Sequence, residues 1–393
     1  TEMRPQEGGR NVLVRRRGDG AVEDMIPEPF NVRTRVHEYG GGAFVVDDGT
    51  VFFSNFTDQR LYRVKPGGAP EPLTGESKMR FADAVVDRRR DRLIAVVEDH
   101  TAADPYPENS ICAVSLSTGE VSVLLAGSDF YSTPRLSPDG SMLAWQEWSQ
   151  GEMPWDAARL CTGEVRDDGS VGNTKSIAGG DGESVFQPEW SSGGILHFVS
   201  DRTLWWNLYR LTSHGVVEAL CAMQAEFAMP QWVFGMRTYG FAAEGKVVCA
   251  YTSGGVWRLG LLEGGSGELR EYDLPFTQVD WLRVSGNRAV FTAAGPHTGQ
   301  CMVELDVESG SWEVIRKGLP IDVDASYVSV PEAIEFPTTG GRTAHAFYYA
   351  PKNADFQAPE GERPPLVVHS HGGPTAMARS GLNLSTQYWT SRG

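Results

Sequence analysis

Four consecutive residues carry the chemistry most readable in this chain: His371-Gly372-Gly373-Pro374. They follow a short apolar run, Leu366-Val367-Val368-His369-Ser370-His371, the pattern of a strand buried in a sheet. Leu382, Leu384, Tyr388 and Trp389 then fall on one side of an amphipathic helix. A strand that ends in paired glycines lets the backbone approach a substrate carbonyl with no Cβ in the way. A backbone N–H then points at the oxygen that turns negative in a tetrahedral intermediate, a donor worth roughly 10²–10³ in rate. The alternative reading is a tight strand-to-helix turn with no substrate role.

Other residues invite chemistry less strongly. His37-Glu38 stands beside Gly40-Gly41-Gly42, where it would line a tunnel or bind a peptide terminus. A structural histidine next to a glycine-rich strand is the more frequent case. Asp201-Arg202 at a strand end offers Arg202 to a substrate carboxylate, or bridges two loops. Gly40-Gly41-Gly42 is not a phosphate loop, because neither a helix pattern nor Lys-Ser/Thr follows it. Arg15-Arg16-Arg17 and Arg88-Arg89-Arg90 read as solvated turns. The five cysteines are scattered without a C-x-x-C pair, so neither a metal site nor a disulfide framework is expected. Buried thiols fit a reducing, cytoplasmic compartment.

These residues need a scaffold, and a repeat supplies it. Six two-residue turns each lead into an apolar strand: Asp48-Gly49, Arg90-Asp91, Asp139-Gly140, Gly193-Gly194, Glu244-Gly245 and Gly286-Asn287. Each unit carries a second hairpin, as at Pro66-Gly67-Gly68, Ser117-Thr118-Gly119, His214-Gly215 and Glu308-Ser309-Gly310. Two hairpins in a period of roughly 45 residues make four strands, the size of a β-propeller blade. Residues 10–26 read as the last hairpin of one more unit. The expectation is therefore a mainly β chain: a seven-bladed β-propeller with a partial first blade over 1–320. The start of an α/β domain follows over 321–393.

Taken together, the text from Leu366 to Ala376, with Gln387-Tyr388-Trp389-Thr390-Ser391-Arg392-Gly393 after it, resembles the prolyl oligopeptidase family of serine peptidases. The likeness is to its acylaminoacyl peptidase and dipeptidyl aminopeptidase branch. Arg35-Val36-His37-Glu38-Tyr39-Gly40-Gly41-Gly42, Met153-Pro154-Trp155-Asp156 and Ser200-Asp201-Arg202 through Tyr209 resemble that branch too. The resemblance implies a propeller capping an α/β-hydrolase domain, with a Ser-Asp-His triad between them. Gly373 would donate its N–H to the oxyanion. His371 stands where other branches place an oxyanion-stabilising Tyr, and is expected to hold the turn in shape. No G-x-S-x-G elbow occurs in the chain. The triad is therefore expected beyond Gly393, and the chain alone is expected to be inactive.

The implied activity is hydrolysis of short or N-blocked peptides by acyl transfer, the propeller gating access. An interaction scaffold and an esterase on the same fold are the alternatives. A peptide substrate is the expected partner, a homo-oligomer is admissible, and no cofactor or metal is called for. Lys plus Arg total 35 against 51 Asp plus Glu, a net charge of −16. That balance argues against affinity for nucleic-acid phosphates or anionic membranes.

Overall fold

The structure, a computed structural model, describes residues 1–102, 105–263, 267–318, 323–373 and 375–392. Among these residues, six four-stranded antiparallel sheets follow one another along the chain, spanning 44–72, 79–126, 130–179, 185–219, 239–271 and 278–317. This is a mainly β propeller architecture. All six two-residue turns of the repeat connect the first strand of a sheet to its second. In the first sheet, Phe44–Asp47 pairs with Thr50–Ser54, and Asp47 faces Thr50 across the turn. Asp48 and Gly49 both have positive φ, 44° and 76°, as a tight hairpin matching the strand twist requires.

Among the described residues the count of blades is six, not seven. Residues 10–26 do turn back on themselves, with Val14–Arg16 against Val22–Asp24. Upstream, Glu2–Arg4 pairs with Arg10–Val12. Each pair stays a two-stranded sheet. The physical reason lies in what covers the apolar residues. Val12, Leu13, Met25 and Ile26 pack directly on Val51, Phe53, Tyr62 and Val64 of the first sheet. Their burial needs no further blade.

The leading strands of four sheets share a device that the hydrophobic pattern does not reveal. Met79–Asp87, Phe130–Leu136, Val185–Trp190 and Gln278–Ser285 each lose register with the next strand at one point. A non-glycine residue with left-handed φ sits at each: Asp83 (51°), Thr133 (47°), Gln187 (49°) and Trp281 (57°). Such bulges bend the strand and re-aim its side chains.

The chain divides into two compact units. The first comprises Thr1–Leu204, Tyr209–Glu218 and Gln231–Met236, and the second Trp205–Leu208, Ala219–Pro230 and Arg237–Gly393. In the first unit the sheets are held together by apolar clusters, one built on Ile94, Ile111, Leu143, Trp145 and Phe234. In the second, Val248, Leu259, Phe291 and Val303 belong to one core.

Within the second unit, Glu332–Pro337 pairs with Thr343–Tyr348, and Leu384–Thr390 forms the helix α1. Asn383 caps α1, its Oδ1 accepting from the N–H groups of Ser385 and Thr386. Arg379 pairs with Asp280 at 2.6 Å and the Leu382 N–H donates to Gly295 O at 2.8 Å, fixing this segment to the sixth sheet. The strand expected at Leu366-Val367-Val368-His369-Ser370-His371 does not form. Leu366, Val367 and Val368 are exposed, and nothing among the described residues pairs with them. A sheet-interior strand exists only through its neighbours, and without a ladder to join, its backbone stays irregular. Gln387 is the buried residue of α1, while Leu384, Tyr388 and Trp389 face outward. Among the described residues no start of an α/β-hydrolase sheet is therefore seen. The boundary expected between residues 320 and 321 lies outside the described residues.

Candidate binding cleft

Among the described residues, a cleft of about 900 Å³ opens in the first unit. Its floor is set by the glycine-rich segment singled out in the sequence. His37 and Glu38 occupy a turn with φ of 52° and 60°. Gly41 then forms a parallel bridge to Phe234, and the Phe234 N–H donates to Gly40 O at 2.9 Å. A Cβ on Gly41 would lie 2.4 Å from Phe234 O, so the approach of the 231–234 segment requires glycine there.

That approach assembles an aromatic wall. The His37 ring meets Phe234 at 4.8 Å, Phe130 at 5.2 Å and Trp148 at 5.6 Å, and Phe130 stacks on Trp148. Tyr39 lies edge-on to Trp232, which also touches Trp155 at 4.5 Å. Two sequence segments named for their family likeness, 35–42 and 153–156, thus meet at one cleft. Burial lowers the His37 pKa from 6.5 to about 4, with Asn109 opposing the shift, so the imidazole is neutral at pH 7. The His37 N–H of the main chain donates to Glu98 at 2.7 Å. Glu98 also meets His100 at 3.1 Å and Arg80 at 3.6 Å. Arg80, and then Arg35, hold the Glu38 carboxyl below its ordinary value.

Arg202 is not brought to this cleft. It donates to Glu183 at 2.8 and 3.0 Å and lies over the Tyr209 ring at 5.0 Å. His371, Gly372 and Gly373 are exposed in the second unit, and Gly373 has φ of 64°. Pro374 lies outside the described residues. Phe130, Trp148, Asn109 and Gln231 line the cleft without any local sequence signal, because they come from separate strands and a returning loop. The one serine of the lining, Ser128, donates to the Trp148 carbonyl at 3.3 Å.

A scan against family models matches none, and a search of curated proteins finds no relative. Solved structures do match. Over 99% of its length the chain superposes on puromycin hydrolase complexed with PGG, at TM-score 0.91 and 38% identity. A puromycin-hydrolyzing peptidase of Mycobacterium tuberculosis matches over 100% of the chain at TM-score 0.91 and 34% identity. Prolyl oligopeptidase B of Galerina marginata shares the fold at TM-score 0.64 and 11% identity, over 86% of this chain and 51% of its own. This chain carries a propeller of the kind found in prolyl oligopeptidase family members. It spans 62% of the length of the puromycin-hydrolysing members it matches. Among the described residues no helix is long and apolar enough to cross a membrane.

Proposed function

We propose that this chain is the propeller-bearing part of a serine peptidase that hydrolyses short peptides or aminoacyl amides by acyl transfer. The observation that carries this reading is the 38% identity to puromycin hydrolase over 99% of the chain. In this reading the propeller restricts access, and the triad stands beyond Gly393. His371, Gly372, Gly373 and Pro374 form the oxyanion loop once a sheet receives the Leu366 run. Gly373 carries the N–H donor, since its left-handed φ suits a glycine at such a turn. His37 and Glu38 belong to the substrate side of the cleft, whereas Arg202 serves as a brace for Glu183.

The test is turnover by the whole protein. Puromycin and tyrosine anilide are expected to be hydrolysed faster than matched simple esters. A fluorophosphonate probe is expected to label the whole protein and to leave the 393-residue chain unlabelled. No hydrolysis of any amide, together with no labelling of the whole protein, would replace the peptidase with a scaffold.

A further inference from the structure

The loop that the peptidase reading makes the oxyanion site is not held by packing of its own. His371, Gly372 and Gly373 are exposed, and a Cβ added at either glycine would meet nothing within 4 Å. An oxyanion donor acts only where it is fixed against the developing charge, so this backbone needs an anchor. The chain provides one a few residues further on, within the second unit. Met377 packs against the apolar core that holds Phe291 and Val303. The Arg379 guanidinium donates to Asp280 Oδ2 at 2.6 Å. Gly381 lies flush on the sixth sheet, where a Cβ would come within 2.7 Å of Ala294 Cβ. The Leu382 N–H then donates to Gly295 O at 2.8 Å.

Asp280 singles out the ion pair among these contacts. It is 7% exposed and precedes Trp281, the left-handed residue at which its strand loses register. Its Oδ2 also accepts from Gln278 Nε2 at 3.0 Å, which fixes the carboxylate. Arg379 reaches it from outside the sheet, with its own side chain 42% exposed. Buried ion pairs add little net stability, and the use best supported for them is to select one register among several. Here the register is that of the 377–382 segment on the sixth sheet. Beyond it, α1 is tied by the Gln387 side chain, which accepts from the Ser329 N–H at 2.8 Å and donates to Ser329 O at 3.0 Å.

We propose that Arg379 is a positioning residue: its pairing with Asp280 sets the place of the backbone that leads away from Gly373. The sixth sheet of the propeller is then the reference against which the oxyanion donor is held. The inference rests on the peptidase reading and deepens it, because it gives a propeller sheet a part in the rate of turnover as well as in access.

The whole protein provides the test. The D280N/R379A double variant removes the tether and leaves no buried charge unpaired, so its thermal midpoint is expected to stay near that of the wild type. Its kcat on tyrosine anilide is expected to fall about tenfold or more, with KM within about twofold, as for an interaction felt in the transition state. R379K keeps the cation and is expected to retain most of the rate. Hydrogen exchange reads the tether without turnover: the Leu382 amide is expected to exchange about tenfold faster in the double variant and at the wild-type rate in R379K. An unchanged kcat, a rise in KM alone, an R379K no better than the double variant, or unchanged exchange would each overturn the proposal. A wild type that hydrolyses no amide, with exchange quickened in the double variant, would sink the peptidase reading and leave the tether standing. One that hydrolyses amides equally well with and without the tether would sink the positioning role alone.

Discussion

Arg135 shows how a single side chain can tie successive sheets together. Its guanidinium donates to Asp83 of the second sheet at 3.1 Å and to Glu189 of the fourth at 2.9 Å, and all three sheets lie in the first unit. Asp83 also accepts from the Thr133 N–H at 3.0 Å, so the bulge residues of neighbouring sheets are joined directly. Arg135 is 7% exposed and Asp83 5%. Replacing Arg135 by Met leaves the buried Asp83 carboxylate without its guanidinium partner. Breaking a buried pair in this way costs about 3–5 kcal/mol. Urea unfolding of the variant is expected to show a loss of that order with an unchanged slope. The triplet Arg88-Arg89-Arg90 teaches a related lesson. Spacing alone marks it as a solvated turn, and Arg88 and Arg89 are exposed. Arg90, however, donates to Gly140 O and Val165 O and pairs with the fully buried Asp87. Nothing in a run of like charges tells which member turns inward, because the acceptors come from a different sheet. The same holds at the cleft. His37 and Glu38 stand out in the sequence beside three glycines, whereas Gln231 is found only through the fold.

At the scale of elements, hairpins were the legible part. Each Asp-Gly or Gly-Gly step states its own geometry, since positive φ is a local property. The Leu366 run states only that it is apolar, and a buried strand depends on partners that sequence spacing does not name. The glycine-rich segment lies between these cases. Its turn propensity is readable, but the need for Gly41 arises from Phe234, far along the chain. Alanine at 41 would combine left-handed backbone strain with a clash against Phe234 O. Strain of this kind costs roughly 1–3 kcal/mol. The G41A variant is expected to lose stability of that order.

For the whole molecule, stability depends on protons as well as packing. His37 and His197 are both pushed by burial from 6.5 to about 4, with Asn109 and the Ile195 carbonyl respectively opposing the shift. Both are therefore neutral in the folded protein between those values, while the unfolded chain takes up protons. Where the unfolded state binds more protons, stability rises with pH. The two histidines thus contribute stability that is present above pH 6.5 and lost as pH falls toward 4. Chemical denaturation across that range is expected to show a falling midpoint, and His197→Gln should flatten part of the fall. Acid loss below this window has another origin: Asp139, held at about 2 by Ser137 and Ser141, gives up its contribution only below about 3.8. The blade count was the large-scale feature the sequence misjudged. A repeat counts hairpins well, but the N-terminal pairs satisfy their apolar residues on an existing sheet.

The bridge between Gly41 and Phe234 also bears on how the protein is made. Its two partners leave the ribosome about two hundred residues apart, and closing so long a loop follows the assembly of the sheets it encloses. At synthesis rates of about 5–20 residues per second, the nascent chain spends on the order of ten seconds with His37, Phe130 and Trp148 translated but Trp232 and Phe234 not yet made. During that interval an apolar surface stands open that the 231–234 segment lies against in the finished protein. A chaperone that shields aromatic surface would have its strongest claim on this protein then, and would lose it once residue 234 is placed.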